Sequence, residues 1–294
     1  MNASAANPIA SGRGPTPPPG APSPRMSLRN RILFLAVAWL IVLMPFLFWH
    51  GTWFGRPLSD RQINDYLHDT AHPRHTQHAL VQIGERMSRH EASVILWYPD
   101  LVRLAGSPIE EIRNTDAWVM GQDPTRPEFH ETLLRMLHDS SPLVRGNAAL
   151  ALVRFGDPSG HDQIVSLLQS DRVTAPSNGT LMNVVKPGTA IHQKGLVAKL
   201  KTDNGVLELR AQAGGNVRAV PVTAGSNVTA GTEIATIDPP GGQVWEALRA
   251  LSLIGRTEDL PVVQYFERVS ADWPQRISQQ AKLTEEAIRE RAGK

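Results

Sequence analysis

The sequence predicts a multidomain protein in which an α-solenoid of helix pairs carries an inserted small all-β domain and follows an N-terminal transmembrane helix. Three observations predict this architecture. Apolar residues with helical spacing recur along most of the chain. Asn204 and Gly205 lie between two short apolar runs, which is a strong signal for a β-hairpin. A run of eighteen residues without a charged side chain begins at Ile32 and ends at Trp49.

Composition and charge exclude several classes of function. The 294 residues are enough for about two domains. The net charge is +2, and four of the 30 basic residues are arginines within the first 31 positions, so the remainder is slightly acidic. We therefore expect no nucleic-acid partner. The chain has no cysteine, which excludes disulfides, thiol catalysis and cysteine-ligated metals.

The N-terminal region is predicted to combine a tail and a membrane anchor. Residues 1–30 are rich in Pro, Ser, Gly and Ala, and we expect them to be disordered. Residues 31–50 are predicted to form a transmembrane helix, because the uncharged run would make about 27 Å of helix. A cleaved signal peptide is the alternative, but its core is about 7–15 residues long and precedes a small-x-small site, which this sequence lacks. The arginines before the run predict a single-pass protein of the cytoplasmic (inner) membrane, with its N-terminus in the cytoplasm and its bulk on the periplasmic side.

Residues 58–172 are predicted to form helical repeats, because helical segments start near positions 59, 92, 127 and 160, about 33–35 residues apart. One repeat, residues 133–157, reads LLRMLHDSSPLVRGNAALALVRFGD. It resembles a HEAT repeat, a family in which a leucine-rich helix, an Asp-x-x-Pro-x-Val-Arg turn and an alanine-rich helix follow one another. The matching residues are Leu133, Leu134, Asp139, Pro142, Val144, Arg145, Ala148, Ala149 and Leu152. Trp118 and Trp245 lie on the apolar faces of repeat helices and are predicted to pack in the core.

The last repeat is predicted to be interrupted by an insertion. Its first helix covers residues 163–168, but an alanine-rich partner helix appears only at residues 244–251. Removing about 67 residues between them restores the period of the repeats. We therefore assign residues 173–239 to an inserted β-domain, and residues 240–292 to the continuation of the helical repeats and a charged C-terminal cap.

The insertion has an internal two-fold repeat. Residues 173–179 correspond to 209–215, residues 186–191 correspond to 223–228, and Gly195 corresponds to Gly231. The repeated glycines mark turns that need positive φ. This pattern resembles the barrel-sandwich hybrid of biotinyl and lipoyl carrier domains, and the related domain of membrane-fusion adaptors in secretion and efflux systems.

The resemblance directs attention to the tip of the central hairpin. In the carrier families it implies an aspartate followed by a lysine that is modified. Asp203 matches the aspartate, but Asn204 stands in the place of the lysine and Gly205 follows. An amide cannot be acylated as an amine is, so we expect an unmodified domain without a cofactor. A carrier that uses a displaced lysine, Lys199 or Lys201, is the alternative.

A group of histidines forms the densest polar cluster of the sequence. Its members are His68, His72, His75, His78 and His90. His75 and His78 are three residues apart on a predicted helix and can share a metal ion, but no His-Glu-x-x-His motif accompanies them. We interpret the cluster as solvated residues of a helix face, and an enzyme or metal protein built on it is a further alternative. Glu110 and Glu111 fall in the first turn of a helix and are predicted to complement its dipole.

The sequence therefore predicts a non-enzymatic, membrane-anchored scaffold or adaptor that uses helical repeats and an unmodified lipoyl-like domain to bind other proteins. The expected process is transport or envelope assembly. The expected partners are the membrane, through the run from Ile32 to Trp49, and a component of a membrane transport or secretion system.

Overall fold

A computed structural model describes residues 28–50, 57–268 and 273–293. The chain divides into two compact units, residues 1–56 and 57–294. The described residues of the first unit form one helix, α1 (Leu28–His50). Residues 28–30, which were assigned to the predicted disordered tail, belong to this helix, and the rest of that tail lies outside the described residues.

The predicted transmembrane helix is not confirmed. Helix α1 covers the run from Ile32 to Trp49, and several of its large apolar side chains are exposed. A search of the described residues finds no helix with both the length and the apolar character that crossing a membrane requires.

The second unit contains helices before and after a group of strands. Its helices are α2 (Asp60–Leu67), α3 (Pro73–Ser88), α4 (Tyr98–Leu104), α5 (Glu110–Met120), α6 (Pro127–Met136), α7 (Pro142–Arg154), α8 (His161–Ser166), α9 (Gly241–Ile254), α10 (Leu260–Arg268) and α11 (Gln275–Ala292). Short 3₁₀ helices cover Ala92–Trp97, Pro158–Gly160 and Thr257–Asp259.

Local sequence signals explain where several of these helices begin. Ser59 accepts a hydrogen bond from the backbone of Gln62, whose side chain accepts one from the backbone of Ser59, so the two residues form a capping box at α2. Residues 92–104 form a 3₁₀ helix followed by α4. A new helix starts there because Pro99, which has no backbone N–H, is tolerated only in a first turn.

Consecutive helices pack as pairs, and the second helices of neighbouring pairs lie side by side. Helix α5 contacts α3 on one side and α7 on the other, and α7 also contacts α9. Small residues allow this close approach: a Cβ atom on Gly121 would lie 2.8 Å from the Cβ atom of Ala151. The pairs occupy the segments in which helical repeats were predicted, and their assignment to the HEAT family stays a prediction.

The strands lie between α8 and α9, and we call this segment, residues 171–238, the β-module. They are β1 (Asp171–Thr174), β2 (Gly179–Val184), β3 (Ala190–Ile191), β4 (Leu196–Thr202), β5 (Gly205–Arg210), β6 (Gly215–Ala219), β7 (Asn227–Val228) and β8 (Glu233–Asp238). They form two four-stranded antiparallel sheets, with the orders β1-β8-β6-β3 and β5-β4-β2-β7. Side chains from both sheets, including Leu181, Leu200 and Ile234, form the buried core of the module.

The internal two-fold repeat is visible in the turns of the β-module. Gly188 and Gly225 occupy equivalent turns with φ values of 83° and 88°. The predicted pairing of Gly195 with Gly231 is wrong by one residue. The turn that contains Gly231 (φ 85°) is closed by a bond from Thr232 to Thr229, and its counterpart is closed by a bond from Gly195 to His192. The residue equivalent to Gly231 is therefore Lys194, which adopts a φ of 61°.

Candidate functional site: the two ends of strand β4

The hairpin tip is formed by β4, β5 and the two residues between them. Thr202 pairs with Gly205, which leaves Asp203 and Asn204 exposed in the turn. The Thr202 hydroxyl accepts a hydrogen bond from the Asn204 backbone (3.2 Å) and donates one to the carbonyl of Gly205 (3.0 Å). The hairpin is as predicted, but its turn differs from the type I′ turn that an Asn-Gly pair favours. Gly205 has a φ of 119°, while Asn204 is not among the described residues with positive φ, so the turn is not of type I′.

The two lysines nearest to the tip lie on strand β4 rather than in the turn. The Nζ atom of Lys199 is 3.5 Å from Oε1 of Glu208 on the neighbouring strand, and Lys201 is exposed beside Val206. Arg210 chiefly, and Lys199 secondarily, hold the pKa of the Glu208 carboxyl below its usual value. Neither lysine occupies the position after Asp203.

The turn at the other end of β4, residues 192–195, contacts the helical part of the protein. The Glu110 carboxylate, in the first turn of α5, accepts hydrogen bonds from Lys194 Nζ (2.8 Å) and from Gln193 Nε2 (3.1 Å). The same carboxylate accepts a third bond from the hydroxyl of Ser141 (2.8 Å), the residue that precedes α7. The bonds from Lys194 and Ser141 lower the pKa of the Glu110 carboxyl, against the effect of its partial burial. We call these four residues the docking contact.

Glu110 was predicted only to complement the dipole of its helix, and the docking contact was not predicted. Its two main partners are 84 residues apart in the chain, so no local pattern joins them. One signal was available: Lys194, in the first half of the module, stands where the equivalent turn of the second half has Gly231. A lysine in such a backbone conformation is uncommon and indicates a constraint from elsewhere in the structure.

Two further contacts join the β-module to neighbouring helical segments. Arg218 on β6 donates to the hydroxyl of Tyr265 on α10 (3.0 Å) and lies 3.5 Å from the carboxylate of Asp238. The hydroxyl of Ser170, just before β1, donates to the same carboxylate (2.7 Å). Together with the docking contact, these bonds hold the module against the helices at separate points.

The interpretation of the histidines as solvated residues of a helix face is wrong for His78, and the alternative metal pair of His75 and His78 is not the group that the structure brings together. His78 is buried at 2% exposure, and burial lowers the pKa of its imidazole. His75 instead contacts the carboxylate of Asp69, which His72 also contacts. The group that the structure brings together therefore consists of Asp69, His72 and His75.

A groove lies between α5, α7 and α9. Its volume is about 460 Å³, and its lining includes Trp118, Arg154, Arg249 and Leu253. The prediction that Trp118 packs in the core is wrong, since its side chain is 40% exposed along this groove. Trp245 is partly buried, and the guanidinium of Arg249 lies 4.7 Å from the centre of its ring. The indole of Trp118 lies over Gly84 of α3, where an added Cβ atom would be 2.6 Å from the ring.

Comparisons with known proteins identify the β-module. Residues 171–237 match the biotin/lipoyl family model, which is described as "Biotin-requiring enzyme". With its two curled antiparallel sheets, this segment is a biotinyl/lipoyl-type domain. Domains of this class are typically carriers or adaptors rather than catalytic units.

Two further comparisons cover the whole sequence. No curated protein matches the sequence. Among solved structures, the crystal structure of an engineered protein from the Northeast Structural Genomics Consortium aligns with 78% of this chain and 79% of its own, at 14% identity and a TM-score of 0.38. A TM-score this low does not define a shared fold.

Proposed function

We propose that the protein is a non-enzymatic adaptor whose β-module is unmodified and binds another protein, while the helical repeats hold the module in place. The observation on which this depends is the composition of the hairpin tip. Asn204 occupies the position at which the related carriers have their lysine, and an amide cannot form the bond that attaches a prosthetic group.

The surroundings of the remaining lysines support this proposal. Lys199 lies beside Glu208 and its backbone bonds to the side chain of Asn183 (2.9 Å), so it is part of the sheet surface. Lys201 is exposed, but it precedes Asp203 instead of following it. A ligase that recognises the turn would meet no amine at the apex.

The β-module is attached in a way that suits display of a binding surface better than transport of a bound group between sites. A carrier domain must bring its prosthetic group to a second site, which requires freedom of the domain. This module is inserted between α8 and α9 and is joined to α5 and α10 by Glu110 and Tyr265. A module held in this way is suited to display one surface in a constant orientation.

The outer surface of the hairpin sheet is the proposed binding surface. Large apolar side chains are exposed there at Met182 (54%) and Val206 (52%), whereas Leu207 (41%), the next residue of β5, belongs to the opposite face of the sheet. Met182 on β2 and Val206 on β5 are separated by β4, a distance of about 10 Å. Single exposed apolar residues are common, but two of them on the outer face of one sheet favour a protein contact.

Photo-crosslinking in intact cells tests the binding surface. A photoreactive residue at Val206 of the full-length chain should give one defined adduct with a partner protein. The same residue at Leu283 of α11, which is 57% exposed and lies outside the β-module, is the matched control and should not. Equal labelling from both positions, or none from Val206, would contradict the proposal.

The proposal also includes the location of the protein at the membrane and its role in transport or envelope assembly. The uncharged run from Ile32 to Trp49 and the arginines before it support attachment to the cytoplasmic membrane, with residues 58–294 on the outer side and a transport or envelope component as partner. Fractionation with an alkaline wash should leave the protein in the membrane pellet, and protease added to spheroplasts should digest it. Recovery in the soluble fraction would refute the anchor without affecting the proposal for the β-module.

A carrier that uses Lys199 or Lys201 is the second candidate, and the family match of residues 171–237 favours it. Peptide mapping of protein from its native host distinguishes the two candidates. A modified peptide that contains either lysine would establish the carrier.

A further inference from the structure

The connection between α2 and α3 gathers two imidazoles around one carboxylate. Oδ2 of Asp69 lies 2.9 Å from Nδ1 of His72 and 2.5 Å from Nδ1 of His75. One potential ligand atom from each residue lies within 4.8 Å of the other two. The His72 and His75 rings are tilted by 30° to each other, with their centres 4.9 Å apart.

The local backbone positions these three groups. Helix α2 ends at Leu67, and Oδ1 of Asp69 accepts hydrogen bonds from the backbone N–H groups of Ala71 and His72, both at 3.1 Å. These bonds hold the carboxylate so that its second oxygen faces the imidazoles. Pro73 begins α3, which places His72 at the N-cap and His75 within the first turn of the helix. The arrangement therefore follows from a seven-residue segment, residues 69–75.

A neighbouring aromatic ring supports one of the imidazoles. The ring of Tyr66 stacks on that of His75, with centres 4.3 Å apart and planes inclined by 11°. The hydroxyl of Thr76, which is buried, donates to the backbone carbonyl of Tyr66 (3.1 Å) and so ties α3 to the end of α2. Support of this kind fixes the orientation of a ligating imidazole. The His75 side chain is only 17% exposed, whereas that of His72 is 65% exposed, so the group opens to solvent on one side.

We propose that Asp69, His72 and His75 bind a divalent transition-metal ion of the zinc class, through Oδ2 and the two Nδ1 atoms. Two imidazole nitrogens and one carboxylate oxygen suit Zn²⁺, whereas Mg²⁺ and Ca²⁺ prefer oxygen ligands alone. On binding, the ion takes the place of the hydrogen atoms that lie between Oδ2 of Asp69 and the two Nδ1 atoms. Bonds of about 2.0–2.1 Å in a tetrahedral site place ligand atoms roughly 3.3 Å apart, so each of the two nitrogen–oxygen distances must lengthen by less than about 1 Å.

This site differs from the one predicted from the sequence, since it replaces His78 by His72 and adds a carboxylate. It is also separate from the β-module and independent of the proposed adaptor function. Three protein ligands leave one position of a tetrahedral ion open to water or to a ligand from a partner. Bound metal would join the end of α2 to the start of α3 and stabilise the first helix pair by mass action.

Metal titration of the full-length chain tests the proposal. The protein is purified without a histidine tag, stripped with a chelator and titrated with Zn²⁺ by calorimetry. Co²⁺ is added in parallel, because its visible absorption reports nitrogen and oxygen ligation. We expect one Zn²⁺ per chain, and a loss of affinity of at least about tenfold in Asp69→Asn and in His72→Ala.

Two variants make the result specific to this site. His192→Ala removes an exposed histidine of the β-module and should leave the affinity unchanged. His75→Ala should abolish binding, and circular dichroism must show that this variant retains its helices. If His75→Ala loses its helices, the His72→Ala variant decides the test, because His72 is exposed and its removal disturbs less packing. Absence of Zn²⁺ binding in the wild type, or an affinity that is unchanged in both Asp69→Asn and His72→Ala, would overturn the proposal and leave the group as hydrogen bonds that cap α3.

Discussion

The two turns at the ends of strand β4 differ in the residue that adopts a positive φ and in the contacts that this residue makes. They are separated by about 25 Å of strand. The outer turn has asparagine where related carriers have lysine, and Gly205 supplies its positive φ. The inner turn has a lysine, Lys194, in a conformation that usually requires glycine, and this lysine bonds to Glu110. Lys194 therefore lies at the base of the module, where it joins the module to helix α5.

The internal repeat of the module provides a second inner turn with which the turn of Lys194 can be compared. Gly231 occupies the equivalent inner position in the second half of the module and adopts a similar conformation without strain. A non-glycine residue in that region is disfavoured by contact between its Cβ atom and the backbone. The hydrogen bond to Glu110 gives a reason for lysine in one half and glycine in the other.

The largest effect is expected at Gly215, close to the base of the module. A Cβ atom there would lie 2.0 Å from the carbonyl oxygen of Asp238, so Gly215→Ala must move the backbone of β6 or β8. We expect the free energy of unfolding to fall by about 3 kcal/mol or more. At the tip, a Cβ atom on Gly205 meets no other atom within 4 Å, and Gly205→Ala should cost only the strain of its positive φ, about 1–2 kcal/mol.

Denaturant unfolding of both variants measures these losses. Equal losses at base and tip would show that the close approach of Gly215 to β8 is relaxed in solution.

The next effect concerns the lysine of the inner turn. Lys194→Met removes the bond to Glu110 and keeps the disfavoured backbone, so it should lower stability. Lys194→Gly removes the same bond but also relieves the backbone, so its melting temperature should lie above that of Lys194→Met. In both variants, amide hydrogen exchange in residues 192–195 should become faster. A glycine variant that is the less stable of the two would contradict the assignment of strain at Lys194.

A smaller effect is expected from acid, through Glu110. Its carboxyl pKa is lowered in the folded protein, so its contribution is complete above the pKa of the unfolded chain and is lost as pH falls through the lower folded value. The contribution should be below about 1 kcal/mol, as for other accessible ion pairs. Stability measured from pH 7 down to pH 3 should fall less steeply in Glu110→Gln than in the wild type. Parallel profiles would show that the docking contact adds no stability.

The smallest effect on stability is expected at the tip itself. Asn204 is exposed and has no positive φ, so Asn204→Lys should change the free energy of unfolding by less than about 0.5 kcal/mol. The variant nevertheless restores the aspartate–lysine order of the carriers. Coexpression with a lipoyl or biotinyl ligase should then modify the variant but not the wild type. Modification of both proteins alike would place the acceptor at another lysine.

Local signals in the sequence were sufficient for the main elements of the fold. The Asn204-Gly205 pair located the central hairpin, and the recurring glycines located the turns of the β-module. In the helical part, Ser59 caps α2, and prolines stand at the first positions of α3, α6 and α7. Each of these signals acts within a few residues, which is why it can be read from the chain alone.

The docking contact and the histidine group depend on packing, and the sequence predicted neither correctly. Glu110 and Lys194 meet only because the β-module folds back on α5. His75 lies near Asp69 and not beside an accessible His78, because the turn after α2 brings that aspartate to the start of α3. Trp118 also depends on packing between helices, since its ring lies over Gly84 of α3 and stays 40% exposed. Helical periodicity describes one helix face and contains no information on these distances.

The central claim, that the module functions without a prosthetic group, is tested most directly by the intact mass of the full-length protein isolated from its native host. We predict a mass equal to that of the unmodified polypeptide, because Asn204 provides no amine at the tip. An adduct with the mass of a lipoyl or biotinyl group, located on Lys199 or Lys201, would contradict the claim and identify the protein as a carrier.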